Sequence, residues 1–310
     1  MQSSQPSQTV LVAGGTGFLG AAFVRALADR GHRPVVLSRS PEKVSSRFPG
    51  REVEARSGDV TRPETLASAL EGIQVVVQTV QFPGFPVEDS AKGHTFREVD
   101  GRGTVNMAEA ASNAGVERLI YLSGVGVDGG ADRPWFAAKR MAERAVREAG
   151  PAHTVIRPSW VYGPEDESLN LFARLIRWIP GAFPQLGDGQ QRVNPVYVRD
   201  VARALVLSVE SEEARGATFE VGGPVTYTMD GIVRVLMDAL GRRKPILHVP
   251  MGLARAGAAV AEVLPGRPMS RAALEFATQE AVADLEALRE LFPDLRLTSL
   301  PEALERYLGA

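Results

Sequence analysis

The feature that most constrains this chain is a glycine run, Gly14-Gly15-Thr16-Gly17-Phe18-Leu19-Gly20, set between a β-branched run and an amphipathic stretch. Thr9 to Ala13 reads as a buried strand. Phe18, Leu19, Ala22, Phe23, Ala26 and Leu27 share one helical face, and Gly31 stops that helix. Gly14, Gly17 and Gly20 are three apart, and each missing Cβ has a use at a strand-to-helix turn. The uses are a tight reversal, close approach of main chain to a ligand, and close contact of helix with strand. In a chain with 31 glycines a triplet alone says little; its position between these two elements carries the argument. The free N–H groups and positive dipole end at the start of such a helix suit phosphate.

Short strand-like runs alternate with helical periods through the rest of the first half. Strands are expected at Pro34–Leu37, Val53–Arg56, Val75–Val80, Arg118–Leu122 and Thr154–Ile156, with helices near Pro63–Leu70, Gly103–Asn113 and Pro134–Ala149. Asp132 is a candidate cap for the last helix, Pro134 suits its first turn, and Gly150 ends it. Strands alternating with helices imply a parallel sheet with right-handed crossovers. The expected fold is therefore α/β, a Rossmann-type doubly wound sheet with a smaller, mostly helical C-terminal cap. Residues 1–8 read as a polar tail, not a signal peptide, because no basic segment leads into an apolar one. Residues 9–163 form the expected dinucleotide-binding domain and 164–310 a mixed substrate or cap region, of which 196–222 return to the core sheet.

Composition narrows the function classes. A net charge of −2 gives no general reason to expect nucleic acid as a partner. The absence of cysteine excludes disulfides, thiolate catalysis and zinc-thiolate sites. His32, His94, His153 and His248 show no ligand spacing, so no metal site is expected. No apolar run is long enough to span a bilayer. Met251–Leu264 is apolar and alanine-rich but interrupted by Arg255 and Glu262; packing is its expected use, with peripheral membrane contact the alternative. A cytoplasmic location is expected.

The end of the second strand discriminates between dinucleotides. A carboxylate about 20 residues beyond the glycines would bond an adenosine ribose 2′-OH. Here the position holds Ser38, followed by Arg39, whose guanidinium suits a 2′-phosphate. NADP(H) is therefore expected in preference to NAD(H). Asp59, in Ser57-Gly58-Asp59-Val60, is either a contact for the adenine edge or a cap for the helix near Pro63.

Several motifs occur in order after these. They are Val99-Asp100-Gly101-Arg102-Gly103-Thr104-Val105-Asn106, Leu119-Ile120-Tyr121-Leu122-Ser123, Ile156-Arg157-Pro158-Ser159-Trp160-Val161-Tyr162-Gly163-Pro164 and Val196-Tyr197-Val198-Arg199-Asp200-Val201-Ala202. Together with the glycine loop they resemble the extended and atypical short-chain dehydrogenase/reductases, an epimerase-like group, as far as about Val221. The run Leu186-Gly187-Asp188-Gly189, followed by Asn194-Pro195-Val196-Tyr197, is most similar to the complex I accessory-subunit group that binds NADPH. The resemblance implies a cofactor site built from Gly14, Thr16, Gly17, Phe18, Leu19, Gly20, Ser38, Arg39, Asp59, Val60, Lys139 and Pro158. Asn106 is expected to be structural, since an asparagine inside a helix needs a partner.

The resemblance also implies a serine and a Tyr-x-x-x-Lys pair. Residues four apart share a helix face, so the ammonium lowers the phenol pKa and the tyrosine works as acid or base. Ser123 and Lys139 stand in those positions, but Trp135 occupies that of the tyrosine. An indole N–H donates a hydrogen bond and has no accessible ionisation. Three readings stay open. The site holds cofactor without turnover, as an assembly or sensor module; or Tyr162 or Tyr121 replaces the missing phenol; or hydride transfer proceeds without one. The first is preferred. Strand alternation puts Tyr121 on the same side as Ser123.

Beyond Gly163, Phe172, Trp178, Phe183 and Leu186 are expected to form an apolar wall, with Arg174, Arg177 and Arg192 adding positive charge. A small hydrophobic molecule, quinone- or isoprenoid-like, a sugar-like substrate or a partner protein would meet it; packing within the cap is the plainer use of the same aromatics.

Overall fold

The computed structural model describes residues 6–129, 133–261, 274 and 278–308. The first half alternates as the periodicity requires: β1 (Thr9–Ala13), α1 (Phe18–Asp29), β2 (Arg33–Ser38), α2 (Val44–Arg47), β3 (Glu54–Ser57), α3 (Leu66–Ala69), β4 (Val75–Gln78), α4 (Gly103–Asn113), β5 (Arg118–Leu122), α5 (Pro134–Glu148) and β6 (Ala152–Pro158). The second half runs through β7 (Val161–Tyr162), α6 (Glu167–Trp178), β8 (Phe183–Leu186), β9 (Arg192–Val193), β10 (Val196–Tyr197), α7 (Val198–Glu210) and β11 (Thr218–Val221). It continues through β12 (Tyr227–Thr228), α8 (Met229–Ala239), β13 (Ile246–Val249) and α9 (Met251–Ala261), then two helices at Glu286–Leu291 and Leu300–Leu308. The expected Asp132 cap lies outside the described residues. Gly150 takes φ +99° just beyond α5, the left-handed conformation a glycine stop supplies.

Seven strands form one parallel sheet in the order β11-β6-β5-β4-β1-β2-β3. Val10, Val12 and Val36 face a core shared with α1 and α7, while Leu11, Ala13 and Val35 face one shared with α4 and α5. Burial on both sides explains why the central strands read as continuous apolar runs. A side chain such as Phe23 or Leu27, fully buried here, contributes roughly 1.5–3 kcal/mol relative to exposure. Strand order reverses between β1 and β4, so a crevice opens at the carboxyl ends of these strands.

The cap packs Leu169, Phe183, Ile232 and Leu304 into a core of its own. It also carries short strand pairs, β8 with β13 in parallel and β9 with β12 antiparallel. Chain reversals bring β11 back beside β6. β4 ends at Gln78, two residues earlier than the apolar run Val75–Val80 implies, because the chain turns at Thr79 against the glycine loop. Before α4, Phe96–Arg102 forms a wide π-type turn that sequence periodicity did not foretell.

Candidate active-site cleft

A cleft of about 1760 Å³ runs along the carboxyl ends of the sheet strands. The glycine loop forms one wall. Gly14 has φ +83°, and a Cβ there would lie 2.8 Å from the Thr79 main chain. A Cβ on Gly20 would lie 2.2 Å from the Gly14 carbonyl oxygen, so helix and strand meet there only because it is absent. Gly17 differs: its φ is −73°, and a Cβ would meet nothing closer than the Gly14 oxygen at 3.3 Å. Packing within the protein scarcely requires a glycine at that position. Its bare side faces the cleft at the start of α1, which fits close approach of a phosphate.

Ser38 and Arg39 line the same cleft, as do Lys43 and Arg62, which the sequence reading did not single out. Four hydroxyl and cationic groups therefore converge beyond β2, where an adenosine ribose would lie if the glycines hold the pyrophosphate. Asp59 also lines the cleft, and its Oδ1 accepts from the Thr61 amide at 2.9 Å and the Thr61 hydroxyl at 2.8 Å. It anchors the turn that leads to Pro63. Asn106 Nδ2 donates to the Val60 carbonyl at 2.8 Å, which ties α4 to that turn. Arg47 Nε donates to the Thr16 carbonyl at 3.1 Å and its guanidinium pairs with Glu165, so one side chain links the glycine loop to the cap.

The opposite corner is built by α5. Trp135, Lys139 and Glu143 are spaced four apart and so lie along one helix face. The Trp135 indole lies on the main chain just after Ser123: a Cβ on Gly124 would come within 2.5 Å of its ring. Lys139 is buried; its Nζ donates to the Leu122 carbonyl at 3.2 Å, sits 5.1 Å from the Tyr121 ring centre and lies 3.9 Å from Asp100 Oδ1. Burial lowers its pKa, against the opposing pull of Asp100 and Glu143. Burial likewise pushes the Asp100 carboxyl up to about 6, and Lys139 offsets only part of that rise. Glu143 is held below the usual range despite burial by Arg157, whose guanidinium makes hydrogen bonds of 2.9 and 2.7 Å to it.

Ser123, Lys139, Trp135, Pro158 and the predicted loop residues Gly14, Thr16, Gly17, Phe18, Leu19, Gly20, Ser38, Arg39, Asp59 and Val60 therefore converge on one cleft. Two candidate proton donors do not. Tyr162 is fully buried in the cap core, 5.8 Å from the Tyr197 ring, and burial raises its pKa far above the ordinary phenol value. Tyr121 is buried under Lys139 among α4 and α5 side chains. Tyr121 and Ser123 both face α5, as strand alternation implies, but Lys139 covers the Tyr121 ring and only Ser123 borders the cleft. The expected apolar wall is also revised. Phe172 and Leu186 line the cleft, whereas Phe183 is buried in the cap and Trp178 is 81% exposed elsewhere. Arg174, Arg177 and Arg192 lie outside the cleft lining.

Trp160 and the loop Gln81–Val87 line the cleft without having been foreseen. Within that loop Phe82 packs edge-on against Phe96 at 4.8 Å, so its rings are held in place. The signal was available: a Phe-Pro-Gly-Phe-Pro run following the strand at a sheet reversal has to border the crevice.

Residues 10–222 match the NAD dependent epimerase/dehydratase family. The chain belongs to that family. Curated relatives include a ceramide reductase of Caulobacter vibrioides, 32% identical over 253 residues that cover 81% of this chain and 77% of the reductase. NADH dehydrogenase (ubiquinone) 1 alpha subcomplex subunit 9, mitochondrial, of Arabidopsis thaliana is 27% identical over 264 residues, 83% of this chain and 64% of that subunit's length. The chain thus spans less than two thirds of the subunit. Among solved structures, a dTDP-glucose 4,6-dehydratase from Streptomyces venezuelae with NAD bound superposes with a TM-score of 0.75 at 21% identity, covering 97% of this chain and 96% of that one. At that identity the likeness concerns the fold. Within the family frame, the glycine cradle fits a nicotinamide dinucleotide, and of its three glycines Gly17 is the one that packing within the protein constrains least. Among the described residues no helix is long and apolar enough to cross a membrane.

Proposed function

We propose that this chain is an NADP(H)-binding protein whose cleft retains the dinucleotide without the family's usual phenol-based proton transfer, and which acts as a binding, assembly or sensor module in the cytoplasm. One observation carries the reading. Trp135 stands four residues before Lys139 and lies over Gly124, and among the described residues no tyrosine lines the cleft. The bound cofactor would supply or accept hydride at its nicotinamide ring. Gly14 to Gly20 would hold its pyrophosphate, Lys139 and Ser123 would face the nicotinamide end, and Trp135 would exclude water there. The cations beyond β2 support the phosphorylated cofactor: Arg39, Lys43 and Arg62 offer charge to a 2′-phosphate, and no carboxylate stands at the end of β2 to bond an unphosphorylated ribose.

A second reading rests on the far end of the cleft. Trp160, Phe172 and Leu186 make it apolar, which suits reduction of a bulky hydrophobic carbonyl compound, the proton coming from solvent or substrate. Likeness to a ceramide reductase supports that alternative. Mass and absorbance analysis of the purified protein, followed by calorimetric titration with all four nicotinamide forms, separates the possibilities. Retained NADPH that stays reduced in the presence of long-chain ketones is the expected result. Absence of heat with every form would overturn both readings, and steady NADPH oxidation with one ketone would favour the reductase.

A further inference from the structure

The chain's charge is unevenly placed. Between Glu167 and Asp188, and again between Asp238 and Glu262, the sequence contains no carboxylate, although the chain as a whole carries net charge −2. Those two segments hold Arg174, Arg177, Arg242, Arg243, Lys244 and Arg255. The fold brings them together. β8 and β13 pair in parallel, Lys244 donates to the Ile179 carbonyl at the end of α6, and Ala254 of α9 packs in one cluster with Leu186 and Val249. Among the described residues none of the five arginines makes an ion pair.

The same lobe exposes large apolar groups. Trp178 is 81% exposed at the end of α6, Leu253 of α9 is 67% exposed, and Leu247 of β13 is 61% exposed. An exposed indole beside unpaired arginines is costly to leave in water and well suited to a headgroup layer, where the ring sits at the interface and the guanidinium stems reach phosphate. The lobe also borders the apolar end of the cleft, which Leu171, Phe172 and Leu186 line.

We infer that the lobe formed by the end of α6, the β8–β13 pair and α9 is a docking surface for an anionic phospholipid bilayer, reversible and peripheral. Charge complementarity selects the membrane's anionic lipids, and the three exposed apolar side chains favour a lipid surface over a nucleic acid, which would use the cations and leave the leucines in water. No part of the inference depends on turnover or on which dinucleotide is bound. Each cation near an anionic leaflet strengthens partition about five-fold, equivalent to about 1 kcal/mol, so a handful gives firm but salt-sensitive binding.

The test is co-sedimentation of the full chain with vesicles of equimolar phosphatidylglycerol and phosphatidylcholine, beside pure phosphatidylcholine vesicles and a duplex DNA fragment. The protein is expected to pellet with the anionic vesicles only, to be released by raised salt, and to show a blue shift of tryptophan emission that Trp178→Phe removes. The double variant Arg242→Gln/Arg243→Gln is expected to weaken partition about twenty-five-fold. Arg255→Glu on a separate helix gives an independent second loss, and a melting curve on each variant verifies that it is folded. Equal pelleting with neutral vesicles, no pelleting with anionic ones, undiminished binding of both folded variants, or tighter binding to DNA than to vesicles would each overturn the inference.

Discussion

The two walls of the cleft obey different rules. At the glycine loop every position that the turn and a ligand require is met: Gly14 at positive φ against Thr79, Gly20 against the Gly14 carbonyl, Gly17 bare on the open side. At the α5 corner the supports are in place and the central group is changed. Ser123 borders the cleft, Lys139 is buried beside Asp100, and Glu143 is clamped by Arg157, yet an indole lies where a phenol would work. If Trp135 leaves the corner without a proton donor, as proposed, grip on a dinucleotide and proton transfer to a substrate are separable in this fold.

The sharpest way to break that comparison is to fill the glycine wall. Gly20→Val places atoms inside the Gly14 carbonyl, which helix and strand can relieve only by separating. Denaturant titration is expected to show a loss of at least about 3 kcal/mol, with no dinucleotide binding. Gly17→Ala adds only a Cβ at φ −73°, its nearest contact the Gly14 oxygen at 3.3 Å, so its stability should stay within about 1 kcal/mol of the parent while binding is lost. If both variants unfold alike, Gly17 serves packing and the ligand argument fails at its root.

The α5 corner is tested by restoring the phenol. Trp135→Tyr puts a hydroxyl on the helix face of Lys139, and a silenced site should regain NADPH oxidation with long-chain ketones by roughly 10²-fold or more. The gain should vanish in Trp135→Tyr/Lys139→Ala. An unchanged rate in a folded, cofactor-loaded variant would mean that the corner has diverged beyond the one residue.

Asp100 gives an effect confined to a defined pH window. Its carboxyl is raised from 3.8 to about 6, chiefly by burial. Below the usual value the group is neutral in both the folded and unfolded states and adds no penalty. As pH rises from 3.8 through about 6, the unfolded chain ionises and the folded one resists, so stability falls by roughly 3 kcal/mol across that window. Asp100→Asn is expected to flatten that slope in urea titrations at stepped pH. An identical slope in the variant would locate the pH dependence elsewhere.

Legibility followed local physics. β1, the glycine turn, α1 and the limits of α5 were readable because apolar period, proline and glycine act within a few residues of where they stand. The placement of Tyr162 was not, since the two-residue strand β7 is fixed by pairing with β10, more than thirty positions on, and that pairing sends the ring into the cap. Asp100 escaped notice because a carboxylate in a wide helical turn looks like any solvated charge until α5 covers it. Nor was the exposure of Trp178 legible, since only the helix phase of α6 against α8 separates it from Phe172.

The least disruptive test returns to the glycine wall and asks how finely it selects. Arg39 is exposed beyond β2 and shares its place with Lys43 and Arg62. A charge-assisted contact to a 2′-phosphate is worth about 1.5–3 kcal/mol, and an exposed one falls at the lower end because solvent screens it. Arg39→Ala should therefore weaken NADPH about 10-fold in a calorimetric titration and leave NADH unchanged. Raised salt should narrow the gap between the two cofactors in the parent and do little in the variant. Equal losses for both dinucleotides would mean that Arg39 supports the loop and not the phosphate, and the preference would then have to come from Lys43 and Arg62.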